Sequence, residues 1–183
     1  MDKNKKLRLV VTAKCHNKCP LCCNNRFDLS QLPVVERWDY EEIMITGGEP
    51  LLFVERTIDL IRDIKRIQDV MGIEQSKFYL YTALPEQIGG AHNIARLAYH
   101  FDGMCITPHT QRDVEVFCKL FPGITIDLAS ECSMRLNLFA DVSKMLDNID
   151  VDLSGWKIKH MEWIKDCPVP VGEDLRRINN LFI

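Results

Sequence analysis

Three cysteines fall within one short stretch, Cys15-His16-Asn17-Lys18-Cys19-Pro20-Leu21-Cys22. That spacing lets three sulfurs converge from a single loop, and clustered thiolates are soft metal ligands. Two chemistries use them. A [4Fe–4S] cube usually takes four thiolates, so three protein ligands leave one iron open to an outside ligand. Zinc would take the same three sulfurs and a fourth, for which Cys23 is available. Zinc knuckles usually draw two Cys/His pairs from separate segments, whereas Cys105, Cys118, Cys132 and Cys167 are single and far apart. The spacing therefore favours iron–sulfur over zinc. Cys23 points away from Cys22 in most backbone conformations and reads as a spare or buried thiol.

A second group of residues, Thr46-Gly47-Gly48-Glu49-Pro50, ends an apolar run. Glycines lack Cβ atoms, so the backbone can approach a ligand closely, and a carboxylate beside them can accept hydrogen bonds from an ammonium group. Taken alone, Gly-Gly before a helix is more often a turn.

The elements around these residues make the pair informative. Leu7 to Thr12 reads as a buried strand leading into the cysteines, and Glu42 to Thr46 as a second strand ending at the glycines. Leu60, Ile64, Ile67 and Met71 then recur at helical spacing until Gly72 offers a stop. The pattern repeats. Lys77 to Thr82 is a strand, followed by a helix opened by Pro85 with Ile88, Ala91, Ala95 and Ala98 on one face. Phe101 to Thr107 is a strand, followed by a short helix carrying Val114, Phe117 and Leu120 and ending near Pro122 and Gly123.

Further on, Ile124 to Leu128 and Arg135 to Phe139 read as strands, and Ala140 to Leu146 as a short helix. Val151 to Lys159 reads as a hairpin or edge strand around Ser154-Gly155, and the tail beyond Cys167 as a Pro-rich segment before a short helical stretch. Asn24 to Tyr40, which contains Pro33, reads as a long loop or short helix. Alternating strands and helices imply a parallel α/β sheet, doubly wound or part of a barrel, with ligands at the C-terminal strand ends. Parallel topology then sets the thiols and Gly-Gly-Glu-Pro at the same end of adjacent strands.

With both motifs in hand, the chain resembles the radical S-adenosylmethionine (SAM) superfamily. Its cluster motif is C-x-x-x-C-x-x-C, and its second strand ends in Gly-Gly-Glu-Pro. The resemblance covers roughly Leu7 to Thr107. It implies a partial (β/α)6 barrel, possibly incomplete or modified toward the C-terminal end. It also implies a [4Fe–4S] cluster on Cys15, Cys19 and Cys22, with SAM chelating the fourth iron. Gly47, Gly48 and Glu49 would hold the SAM amino group, Leu21 would pack near the adenine, and Thr82 and Thr107 would reach the ribose. The implied reaction is reductive cleavage of SAM to a 5′-deoxyadenosyl radical that abstracts hydrogen from a substrate. That chemistry needs an electron donor of the flavodoxin or ferredoxin type.

The target is left open by the same residues. Compact members of the superfamily include glycyl radical enzyme activators and carboxydeazaguanine synthases, so a small molecule, a peptide or a protein is the expected substrate. The contrasting expectation is a non-enzymatic zinc-stapled or electron-transfer module built on the same thiols. His16 reads as a loop histidine. His109, after Pro108, is a candidate acid, base or substrate contact, and Arg135 and Asn137 are candidates to reach a carboxylate.

Composition narrows the class. The 183 residues suit a single domain spanning 1–183, and 46% apolar against 27% charged residues suits an ordered globular chain. A formal net charge of −3 offers no general attraction for nucleic acid. No apolar run approaches the roughly 20 residues of a membrane span, and no export signal is apparent, so the expectation is a cytoplasmic protein.

Overall fold

The computed structural model describes residues 5–19, 21–25, 28–121, 131–147, 149–164 and 168–183. Among these the chain is mixed α/β, with seven strands whose described pairings are all parallel and four α-helices. No helix is long and apolar enough to cross a membrane. The chain divides into two compact units, one of residues 1–80 and 164–183, the other of residues 81–163.

In the first unit, β1 (Lys6–Thr12) lies between β2 (Glu42–Gly47) and β7 (Glu173–Phe182), and residues 77–80 of β3 (Lys77–Thr82) flank β2. The register aligns Leu7 with Ile43 and Phe78, and Leu9 with Ile45 and Leu80; all six side chains are fully buried. Alternation along a strand turns these residues to one face and Arg8, Met44 and Tyr79 to the other. Helix α1 (Val54–Met71) buries Thr57, Ile58, Ile61, Ile64 and Gln68, and its Lys65 ammonium sits over the Phe78 ring. Each fully buried apolar side chain contributes about 1.5–3 kcal/mol.

Two features of this unit differ from the sequence expectation. The buried stripe of α1 is rotated: Ile67 and Met71 are exposed, because the sheet takes the Ile58-Ile61-Ile64 face and a polar contact takes the next turn. Gly72 does end the helix, in the left-handed conformation that glycine adopts without strain. The expected helical tail is instead β7. Its Leu175, Ile178 and Phe182 spacing suits a helix, but pairing with β1 satisfies its backbone and overrides that local preference.

The segment after the cysteine loop is, as expected, a loop with a short helical turn. A 3₁₀ turn (Leu29–Gln31) is capped by Asp28, and the chain then runs beside the far edge of β7, with Val35 N–H donating to Arg177 O and Arg177 N–H to Pro33 O.

The second unit pairs β4 (Gly103–Ile106) with β5 (Ser133–Phe139), and β5 with β6 (Lys157–Met161). Helices α2 (Ala91–His100), α3 (Gln111–Leu120) and α4 (Ala140–Leu146) complete it. Met104, Ile106, Met134, Leu136 and Leu138 are buried, as are Val114 and Phe117 of α3 and Val142 and Leu146 of α4. The Trp156 ring meets Phe117 and Phe121 edge-on at 5.0 and 5.3 Å.

Pro85 opens only a 3₁₀ turn, Pro85–Ile88; Gly89 and Gly90, both at positive φ, then break the chain before α2. Ile94, Leu97 and His100 of α2 are buried, while Ala95 is exposed. Ser154-Gly155 makes a turn rather than a hairpin, and β6 pairs in parallel with β5. The strand expected at 124–128 lies outside the described residues.

Candidate cluster and cofactor site

The cysteine loop grows directly from the end of β1, where the register shifts on both sides. From Val10 to Thr12, β1 advances two residues while β2 advances only from Thr46 to Gly47, and β7 advances from Arg177 to Phe182. A bulge of this kind re-aims the chain at a strand end. Thr12 holds the departure point: its buried hydroxyl donates to Phe182 O at 2.9 Å and accepts the Lys14 N–H at 3.1 Å.

Gly47-Gly48-Glu49 does not stop at the end of β2. The Gly48 N–H donates to Thr12 O and the Glu49 N–H to Lys14 O, each at 2.7 Å. These two bonds carry the pairing one residue short of Cys15. The glycines have a reason for being there that differs from close approach to a ligand. A Cβ on Gly47 would stand 2.4 Å from Thr12 O, and one on Gly48 would stand 2.0 Å from Lys14 O. The close approach is between this chain's own backbones.

Glu49 is fully buried and caps the 3₁₀ turn Pro50–Phe53, its Oε1 accepting the Leu51 N–H at 3.0 Å. Its charge reaches the cysteine loop. Burial pushes the Cys15 thiol above its ordinary range, and Glu49 and Cys22 push it the same way, while the backbone N–H groups of Asn17 and His16 favour its thiolate. A cation or an electrophilic metal at that sulfur would reverse the balance.

The loop is folded on itself: Cys22 N–H donates to Cys19 O at 3.3 Å, Asn25 N–H to Cys22 O at 3.0 Å, and the Asn24 amide to Ala13 O at 3.1 Å. Cys15, Cys19 and Cys22 are half-buried thiols, and His16 is exposed. Leu21 is 42% exposed, an apolar side chain on the loop surface. Among the described residues no three His, Cys, Asp or Glu side chains are gathered as a ready-made metal shell.

The donor set nevertheless suits an iron–sulfur cluster. It supplies three thiols on one loop, backbone N–H groups directed at the Cys15 sulfur, and a buried Asn17 Nδ2 with no partner among the described residues. N–H donors to ligating sulfur are what tune such clusters.

Thr82 and Thr107 belong to the second unit, where the Thr107 N–H donates to Thr82 O at 2.9 Å. The Thr82 hydroxyl accepts the Leu84 N–H and shapes the turn after β3, and the Thr107 hydroxyl accepts from the Asn137 amide at 3.3 Å. His109 is half-buried, with its Nδ1 buried. Burial pushes its imidazole below the ordinary range, and Asp113 pulls the other way.

Sequence reasoning passed over Thr12 and Asn24, which fix the base of the cysteine loop. Neither carried a signal, since one pairs with the last strand and the other with a carbonyl eleven residues back. No family model matches the chain, and no curated protein matches it. The motifs and the geometry around them stand as the grounds for function.

Proposed function

We propose that this chain is a radical SAM enzyme, with a [4Fe–4S] cluster on Cys15, Cys19 and Cys22 and SAM at the open iron. The observation that carries the reading is the pair of bonds from Gly48 N–H to Thr12 O and Glu49 N–H to Lys14 O, which ties the Gly-Gly-Glu-Pro segment to the root of the cysteine loop. The two motifs thereby become parts of one structure. On this reading the parallel strands belong to a partial (β/α)6 barrel of that superfamily, working in the cytoplasm with a flavodoxin- or ferredoxin-type donor.

A reduced cluster held there would supply the electron that cleaves SAM to methionine and the 5′-deoxyadenosyl radical. The chain's own residues bind and orient. Glu49 offers a buried carboxylate for the SAM ammonium, held in place by its bond from Leu51 N–H. Gly47 and Gly48 keep that carboxylate at a set distance from the thiols, because only residues without Cβ permit the backbone contact. Leu21 presents apolar surface on the loop that an adenine ring would cover. The chain's part in a hydrogen abstraction from a small molecule, a peptide or a protein would be to hold the target carbon close and keep water out.

The test is anaerobic reconstitution with iron and sulfide, then assay for 5′-deoxyadenosine with dithionite and SAM. Formation of that product is expected. Its absence from a chain holding an intact four-iron cluster would overturn the reading and leave an electron-transfer module, while zinc in place of iron would leave a stapled one.

A further inference from the structure

Asn17 lies between Cys15 and Cys19 in the chain, and its two donor groups differ in what they meet. The backbone N–H, with that of His16, hydrogen-bonds to the Cys15 sulfur, two residues back, the separation at which short polar side chains accept from the backbone. The side chain is half-buried, and its Nδ2 is fully buried with no partner among the described residues. Asn24, at the root of the same loop, contrasts with it: its amide donates to Ala13 O at 3.1 Å.

A buried donor without an acceptor has lost its hydration and gained nothing in return, so such groups are rare and call for an explanation. Here the residue that leaves one unsatisfied is the residue whose backbone already reaches a candidate ligand sulfur. A thiolate or sulfide of a bound cluster is the acceptor that this surrounding would supply. The charges nearby give such a bond a purpose. Glu49 is fully buried and acts on the Cys15 sulfur, as does Cys22. Negative charge there opposes the addition of an electron to a cluster, whereas N–H dipoles directed at its sulfurs favour it. The cations of the same stretch, Lys14 and Lys18, are exposed, as is His16, and solvent screens their charge.

We propose that the Asn17 side-chain amide donates to a sulfur of the cluster and raises its reduction potential, against the pull of Glu49. The proposal rests on the assignment of a four-iron cluster to Cys15, Cys19 and Cys22. It gives this chain a donor that depends on residue type, beside the two backbone donors that any residue would offer.

The test compares the reconstituted full chain with Asn17→Leu, which keeps the size of the side chain and removes the donor, and with Asn17→Asp, which puts an acceptor in its place. Midpoint potentials are read by anaerobic titration followed by EPR, without SAM, so that a SAM carboxylate cannot be the acceptor. The potential should shift to more negative values in Asn17→Leu and further in Asn17→Asp. Cluster-free Asn17→Leu should unfold at a denaturant midpoint no lower than that of the parent chain, because apolar surface has replaced an unpaired donor; an amide that served only the fold would lower it. Where a variant fails to hold its cluster, the parent chain still decides: with ¹⁵N on its asparagine side chains, the reduced cluster should show a ¹⁵N coupling in pulsed EPR. An unchanged potential in fully loaded Asn17→Leu, a destabilised cluster-free variant, or no ¹⁵N coupling in the parent would each overturn the proposal and leave the cluster and SAM cleavage standing. A parent chain that assembles no four-iron cluster would overturn it together with the reading it rests on.

Discussion

Gly48 lies against Lys14 so closely that a Cβ built on the glycine would stand 2.0 Å from the Lys14 carbonyl oxygen and 2.8 Å from the Ala13 carbonyl carbon. No rotamer relieves such a clash, since both sides are backbone. Gly48→Ala should therefore cost about 3 kcal/mol or more. Gly72→Ala makes an informative control: nothing lies within 4 Å of its added Cβ, and only the left-handed backbone is penalised, by about 1 kcal/mol. Urea denaturation of the two variants checks the difference. After reconstitution, Gly48→Ala should also retain less iron than Gly72→Ala, because the clash displaces the root of the cysteine loop.

The ligand assignment separates neighbouring thiols. Cys19→Ala should abolish cluster retention and Cys23→Ala should leave it intact, read by iron and sulfide content and by the visible absorption of the cluster. The reverse outcome would make Cys23 a ligand and point back to zinc-like coordination.

A buried polar knot holds the end of α1 to the entrances of β2 and β3. The Gln68 amide donates to Trp38 O at 2.7 Å and to Ser76 Oγ at 2.5 Å; Ser76 N–H returns a bond to Gln68 Oε1, and Ser76 Oγ donates to Tyr40 O at 2.6 Å. Ser76→Ala leaves Tyr40 O without the hydroxyl donor and should cost about 1–3 kcal/mol. The midpoint of chemical denaturation should fall, with its slope unchanged.

His109 sets one limb of the pH dependence. Burial lowers its folded pKa relative to the unfolded chain, whose ordinary value is about 6.5. The neutral, half-buried ring therefore contributes fully above about pH 6.5, and its contribution is lost as the pH falls from there toward the lower folded value. The loss cannot exceed about 1.4 kcal/mol per pH unit for one proton. Denaturation midpoints measured from pH 7.5 down to 5 should fall less steeply in His109→Gln than in the parent chain. Equal slopes would mean that His109 titrates alike in both states.

Much of the local structure was legible because short-range rules decide it. Alternation and apolar runs marked β1 to β5 within a residue or two, Gly72 marked the stop of α1, and Ala140 to Leu146 folds as the helix its pattern implies. The misread segments were those where distant partners overrule propensity. The helical spacing of Leu175, Ile178 and Phe182 yields to pairing with β1, and the face of α1 is chosen by the sheet it covers.

The candidate site divides along the same line. Sequence alone determined the three thiols, their spacing, and a Gly-Gly-Glu-Pro segment at a strand end, because these are properties of neighbouring residues. Only the tertiary structure decided that Gly47 and Gly48 are there to let two backbones touch, that Glu49 acts on Cys15, and that Phe182 receives the Thr12 hydroxyl. It also gathered His109, Phe139 and Trp163 into one stack. Those relationships join segments separated by tens to more than a hundred residues, and parallel pairing between non-adjacent stretches is what brings them together.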